Sequence, residues 1–411
     1  MKKLVIIPTY WGRQKDEGWH EGDAVYDHPT PINEQGTLRR TLESMKHLKS
    51  NDYQLALIVC PTCNEIENQV IEKVKAIFNQ MGLNVRSYFF TSGVLDKIYS
   101  TFSEHIEVVR SEGMLSFYGY PNVRNICLLV AELTDAEAAI LIDDDEVIEL
   151  DDFIERSVEN LGSFINGKTV KAIAGYYLNK YGTYYDDVVI HPWMTYWNRF
   201  SCKARAYDQI IGSEPRIKRT PFAFGGAMVI HRSLFRKVPF DPEITRGEDI
   251  DYLLNCEMFG DSFYLDNTLS IKHLPAPKEH PEWKRVREDI YRFVYQKAKI
   301  NSQRKMQNMI EIRPELYEPY PGEFLKDDLE EKIFKSNMML SQNYLGEGDI
   351  QGSRESLKNI YIAKNEAVPE FNAFERYYQT QLIWSNFMEI LAKNPKLKAN
   401  IARKYQLNES E

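Results

Sequence analysis

Ala139-Ile140-Leu141-Ile142-Asp143-Asp144-Asp145 is the stretch on which the reading of this chain turns. The four apolar residues read as a short buried strand, and three consecutive carboxylates stand at its end. Adjacent acids repel one another unless something positive sits among them. A hard divalent cation with oxygen ligands meets that need, and Mg²⁺ or Mn²⁺ commonly bridges one or two carboxylates to phosphates. The carboxyl end of a strand in an open α/β sheet is also where ligands bind. The plain alternative is a solvated acidic turn before a helix capped by Asp151-Asp152.

Working outward, strands alternate with helices. Leu4–Ile7 reads as a β-branched strand stopped by Pro8. Leu38, Leu42 and Met45 recur at helical spacing within Thr37–Leu48. Leu55–Val59 is a second strand. Val70, Val74, Ile77 and Met81 line a helix ended by Gly82. Val85–Phe90 is a third strand, and Val123, Ile126 and Val130 mark the helix that leads into the aspartate strand. This alternation predicts an α/β fold with a mostly parallel sheet and helices on both faces.

The 411 residues suffice for a large core, as one domain with an appendage or as two domains. A hydrophobic content of 43% and a charged content of 27% are those of an ordinary globular protein. The net charge of −9 argues against a nucleic-acid partner, which calls for a basic surface. The apolar run Leu4–Ile7 is too short for a signal peptide, and no run is long enough for a transmembrane segment. The expectation is a cytoplasmic protein. The five cysteines do not suggest a disulfide framework. Cys60-Pro61-Thr62-Cys63 has redox or zinc spacing, but no second pair completes a zinc site, and two ordinary thiols in a loop are the better reading. Between the first strand and first helix lies a polar insertion, Trp11–Gly36, holding Asp16, Glu17, His20, Glu21, Asp23, Asp27 and His28. Its spacings match no familiar ligand pattern, and a lid or acceptor-contacting loop is preferred.

Several stretches, in order, resemble the GT-A glycosyltransferases, in particular the family-2-like group of nucleotide-diphospho-sugar transferases. Ile7-Pro8-Thr9-Tyr10 looks like that group's first strand and nucleotide-contacting loop. Asn122-Val123-Arg124-Asn125 looks like its Ala-Arg-Asn helix start, and Asp143-Asp144-Asp145 matches its DxD motif. Phe224-Gly225-Gly226-Ala227-Met228-Val229-Ile230 looks like its glycine-pair strand. Arg246-Gly247-Glu248-Asp249 resembles its Gly-Glu-Asp motif, and Ile271-Lys272-His273 resembles the late strand that carries a histidine metal ligand. The likeness covers about residues 1–275.

The resemblance implies transfer of a hexose from a nucleotide-diphosphate sugar donor to a carbohydrate or small hydroxylated acceptor, with Mg²⁺ or Mn²⁺ neutralising the leaving diphosphate. It assigns the metal to Asp143, Asp145 and His273. It assigns the donor to Pro8, Thr9, Tyr10, Arg124, Asn125, Asp143, Asp144, Gly225 and Gly226. Asp249 becomes the base in an inverting reaction, with Glu248 as its neighbour; in a retaining reaction the pair holds the acceptor. Read from position alone, Glu248 and Asp249 are equally first-turn acids that cap a helix, and Gly225-Gly226 is equally a bulge or a close approach to ligand. Two departures stand out: Cys60 to Cys63 occupies the place where many members carry a base-reading Asp, and the 11–36 insertion is unusual.

After Pro281 the pattern changes, which suggests a catalytic domain over 1–280 and a helical C-terminal region over 281–411. Lys284–Ile310 reads as a basic helix, suited to an anionic membrane surface or, as preferred, to docking on the main domain. Glu311–Glu330 reads as a linker, and Glu331–Leu407 as helices that build a homo-oligomer interface or shape the acceptor site. The alternatives are a sugar nucleotidyltransferase, for which a triphosphate-holding loop is missing, and a non-catalytic sugar-nucleotide or carbohydrate-binding scaffold.

Overall fold

The computed structural model describes residues 1–27, 29–101, 103–276 and 280–404. His28 of the insertion and the helix end expected at Leu407 lie outside them. The strands that carry the architecture are β1 (Lys3–Gly12), β2 (Gln54–Pro61), β3 (Arg86–Phe90), β4 (Ala138–Leu141), β5 (Glu146–Val147), β6 (Ala172–Leu178), β7 (Ile217–Arg219), β8 (Met228–His231) and β9 (Phe263–His273). They form one sheet in the order β7-β9-β6-β8-β4-β1-β2-β3, with the bridge Thr30–Pro31 on β1 and β5 on β9. Pairing is parallel from β4 through β3 and between β6 and β9. Strand β8 runs antiparallel to both β4 and β6. This is the α/β class with a mostly parallel sheet expected from the sequence.

The period-2 alternation of the strands sorts their side chains between two cores. Leu4, Ile6 and Tyr10 of β1 face one, while Val5, Ile7 and Trp11 face the other. Helix α1 (Leu38–Ser44) and α2 (Glu67–Met81) cover the second face. Helix α2 buries Val70, Val74, Ile77, Phe78 and Met81, and ends on the left-handed Gly82. Helix α3 (Tyr120–Leu133) lies on the first face, buried along nearly its whole length.

Pro8 does not stop the first strand, which runs on to Gly12 and stays paired with β2 as far as Trp11 and Pro61. Strand β4 pairs only with Lys3–Ile6, so Pro8 falls where one edge of β1 has already lost its ladder and no donor is needed there.

The C-terminal helices share the first core. Helix α4 (Arg199–Ile210) and α5 (Glu248–Met258) belong to the sheet region, and α6 (Glu282–Asn301) crosses them. Val286, Ile290, Phe293 and Ile300 of α6 are buried in the same cluster as Phe235, Phe240, Leu253 and Leu254. The basic helix therefore docks on the main domain. Its Lys299 is buried 2.6 Å from Asp241 and 2.7 Å from Asp251. The expected linker at 311–330 is packed instead: Ile312, Tyr317, Phe324, Leu325 and Leu329 are buried, and Phe324 stacks on Phe293 at 4.9 Å. Its prolines and acids read as loop composition, whereas its aromatics make the contacts. Helices α7 (Leu329–Gly346), α8 (Ile350–Asn365), α9 (Ala373–Lys393) and α10 (Pro395–Lys404) follow. Trp384 of α9 donates to the Phe235 carbonyl, and Lys398 of α10 reaches the buried Glu132 of α3. No helix among the described residues is long and apolar enough to cross a membrane.

Candidate active site

The site forms where β4 ends. Strand β5 folds back against the end of β9, with Glu146 opposite His273, and Leu274 N–H donates to the Asp145 carbonyl. That pairing brings the His273 ring back to the aspartate turn, leaving Nε2 3.3 Å from Asp145 Oδ2. Helix α1 fastens the turn from outside: Thr41 donates to the Asp144 carbonyl and Arg40 to that of Leu274.

The three aspartates face different ways. Asp145 meets His273. Asp143 accepts from Arg124 Nη2 at 2.7 Å. Asp144 turns inward, accepting from the Thr9 hydroxyl at 2.6 Å and the Tyr10 N–H at 3.3 Å, while the Trp11 indole donates to the same Thr9 oxygen. Thr9 and Asp144 thus tie β1 to the aspartate turn, a job internal to the protein. Pro8 and Tyr10 are buried alongside. Burial, then the neighbouring Asp145, pushes the Asp144 carboxyl up to about 8.

Arg124 is 3% exposed, and its Nε and Nη1 lack hydrogen-bond partners. Its Nε lies 3.6 Å from Glu248 Oε1, which joins the aspartate turn to the start of α5. Asn125, beside it, is fully engaged elsewhere: its amide donates to the Phe240 carbonyl and accepts from the Phe240 N–H. Glu248 and Asp249 open α5 behind the left-handed Gly247, and a Cβ there would lie 2.1 Å from Arg292 of α6. Asp249 accepts from the Ile250 N–H. Burial first, then Asp249, raises Glu248 to about 7, and burial raises Asp249 as well.

The glycine pair approaches protein rather than open space. A Cβ on Gly225 would stand 2.7 Å from Arg124 Nη2, and one on Gly226 would stand 2.0 Å from Glu146 Oε1. Glu146 itself is wholly buried; its Oε2 accepts from the Asp143 N–H, its Oε1 is unpartnered, and burial pushes it well above the carboxylate range. It was missed by motif reading although it is the fourth acid of the run. Tyr177 carries no motif, and in sequence it is one of the aromatics of the 176–224 segment, which reads equally as an acceptor-binding stretch or as a small core. Its ring stacks on His273, and its hydroxyl accepts from the Gly226 N–H at 2.8 Å.

The insertion is strapped across this side. Arg246, next to Gly247, holds Asp27 through both terminal guanidinium nitrogens and Glu288 of α6 at 2.6 Å. Tyr26 packs against Tyr10 at 4.4 Å and Tyr120 at 5.4 Å. Asp23 is paired with Arg13. Cys60 and Cys63 are both buried free thiols, and burial raises both, which is opposite to what a reactive thiolate needs.

Among the described residues no group of three or more His, Cys, Asp or Glu gathers round one metal position. The donors at hand are the Asp145–His273 pair, beside Asp144 and Glu146, whose carboxyls burial holds above their ordinary range. A cation with one carboxylate, one imidazole and further oxygen ligands from outside the protein suits that donor set.

No protein-family model and no curated protein sequence matches the chain. Solved structures do. The chain is similar to the mannosyltransferase PcManGT from Pyrobaculum calidifontis, in complex with GDP-Man and Mn²⁺, at 11% identity over 96% of this chain and 87% of that one, with a TM-score of 0.44. It is similar to GalNAc-T7 with UDP, GalNAc and Mn²⁺ at 12% identity, over 72% of this chain and 51% of that one, with a TM-score of 0.37. A mycobacterial protein aligns at 12% identity over 71% of this chain and 74% of that one, with a TM-score of 0.34.

Proposed function

We propose that the protein is a metal-dependent glycosyltransferase of the GT-A type, moving a hexose from a nucleoside-diphosphate sugar to an acceptor hydroxyl. One observation carries the reading. At the ends of β4 and β9, the Asp145–His273 pair stands beside Asp143, which is bound to a buried arginine whose Nη1 has no hydrogen-bond partner. Carboxylates that need a cation thus lie next to donors that need an anion, and a metal-bound diphosphate answers both.

In this reading Asp145 and His273 would hold the metal, and the Asp143 carboxylate would be divided between the metal and the Arg124 guanidinium. When bound, the cation offsets the negative charge that builds on the leaving diphosphate. The imidazole nitrogen favours Mn²⁺ over Mg²⁺, which prefers an all-oxygen shell. Arg124 offers its unpartnered Nη1 to the diphosphate oxygens. Thr9, Asp144 and Asn125 position the surrounding backbone. In an inverting reaction Asp249 takes the acceptor proton, with Glu248, held near neutrality, sharing the charge.

The test is a thermal-shift panel of nucleoside diphosphates and nucleotide sugars with Mn²⁺ or with EDTA. A ligand present at a hundred times its Kd adds about 2.7 kcal/mol to the native state. The expected result is a metal-dependent rise with one nucleotide that disappears in Asp145→Ala. Absence of any shift across the panel would overturn the assignment in favour of a non-catalytic scaffold.

A further inference from the structure

The His273 side chain is 32% exposed, so a ring in that position is free to turn unless something holds it. Tyr177 of β6 supplies the hold. The two rings lie 4.6 Å apart with an 18° angle between their planes, an offset stack, and Phe224 backs Tyr177 from behind at 4.7 Å. Strand β6 runs parallel to β9, with Tyr177 paired to Ile271, two residues before the histidine. The Tyr177 hydroxyl is tied down as well: it accepts from the Gly226 N–H at 2.8 Å and points at Asp143 Oδ2 at 3.5 Å. One side chain therefore touches the imidazole, the first aspartate of the turn and the glycine pair.

We propose that Tyr177 is a positioning residue for the cation site, its ring fixing the His273 imidazole toward Asp145. The inference rests on the metal assignment made above and adds a residue that no motif indicates. Partners that orient a metal-ligating histidine commonly change metal affinity by about 10- to 100-fold when removed.

Mn²⁺ alone serves as the probe, its binding followed by water-proton relaxation enhancement on the full chain without nucleotide or turnover. Near-UV circular dichroism and thermal midpoints establish that each variant is folded. Tyr177→Leu is expected to weaken Mn²⁺ binding by about tenfold or more. His273→Ala should do at least as much, and the double variant should be no weaker than His273→Ala. A merely structural tyrosine would add its own loss on top of His273→Ala, and that additive result would overturn the proposal. Tyr177→Phe retains the stack and is the variant of choice should the leucine protein not fold. It is expected to bind Mn²⁺ within about threefold of the parent, the ring alone orienting the ligand. A tenfold loss with phenylalanine, or parent-like binding with leucine, would overturn the role of the ring. Failure of the parent protein itself to bind Mn²⁺ would instead remove the metal assignment, and this inference with it.

Discussion

At the scale of single residues, Glu248 has the most to say about function. It is 9% exposed, and burial together with Asp249 lifts its carboxyl from 4.5 to about 7. The folded protein therefore holds a proton between those two values that the unfolded chain has released. The stability it contributes is complete below about pH 4.5 and is lost as pH rises through about 7, up to roughly 3 kcal/mol by the usual free energy per pKa unit. Glu248→Gln keeps position 248 neutral at every pH. Urea denaturation from pH 5 to pH 8 should show a shallower decline in the variant than in the parent, and turnover should fall on the order of 10²-fold if the pair handles the acceptor proton. Parallel pH profiles would show that Glu248 is not the titrating group. The Glu248–Asp249 pair was legible in the sequence because a glycine-acid-acid start to an apolar helix is a local pattern. Glu146 and Tyr177 were not, because their significance comes from the pairing of β5 with β9 and of β6 with β9, contacts between residues far apart in the chain.

At the scale of elements, the glycine pair before β8 shows how local ambiguity resolves through packing. Sequence alone allowed a bulge or a close approach to ligand, and the approach found is to protein instead. The structure shows a close approach whose other side is the wholly buried Glu146, 2.0 Å from where a Cβ on Gly226 would be. A buried carboxyl cannot swing into solvent, so Gly226→Ala has to displace Glu146 and with it the Asp143 N–H that Glu146 accepts from. The expected cost is about 1–3 kcal/mol, the range for overpacking, read as a lower urea midpoint with an unchanged slope. An unaltered midpoint would mean that the turn relaxes without strain. The strands were legible from their alternation and their β-branched residues, and so was α2 from its period and its terminal Gly82. Their ends were less so. Pro8 looks like a stop, and only the short reach of β4 along β1 makes it harmless there.

At the scale of the molecule, the change in composition near Pro281 suggested a boundary, and the packing there is continuous. Phe293, Tyr317, Phe324 and Trp384 lie in one cluster with Phe235, Phe240 and Leu254. Composition shifts at that point because the sheet is finished and only helices remain. Whether those helices stand apart depends on contacts between residues far apart in the chain, which no local pattern records. The consequence is a prediction about residues 1–280 expressed alone. Removing α6 takes Lys299 away from Asp241 and Asp251, which are buried at 1% and 0% exposure. Breaking a buried pair by deleting one partner costs about 3–5 kcal/mol, since the remaining charges have no compensation. The same cut uncovers the apolar wall that Phe293 and Trp384 fill, and deprives the Phe235 and Pro239 carbonyls of their donors on α9. Together these losses are a large fraction of the stability of an ordinary domain, about 5–15 kcal/mol. The fragment is expected to lack near-UV circular dichroism, to bind the apolar dye ANS, and to unfold without a cooperative urea transition. A cooperative transition at the full-length midpoint would show that the sheet region is self-sufficient and that the helices are an addition to it.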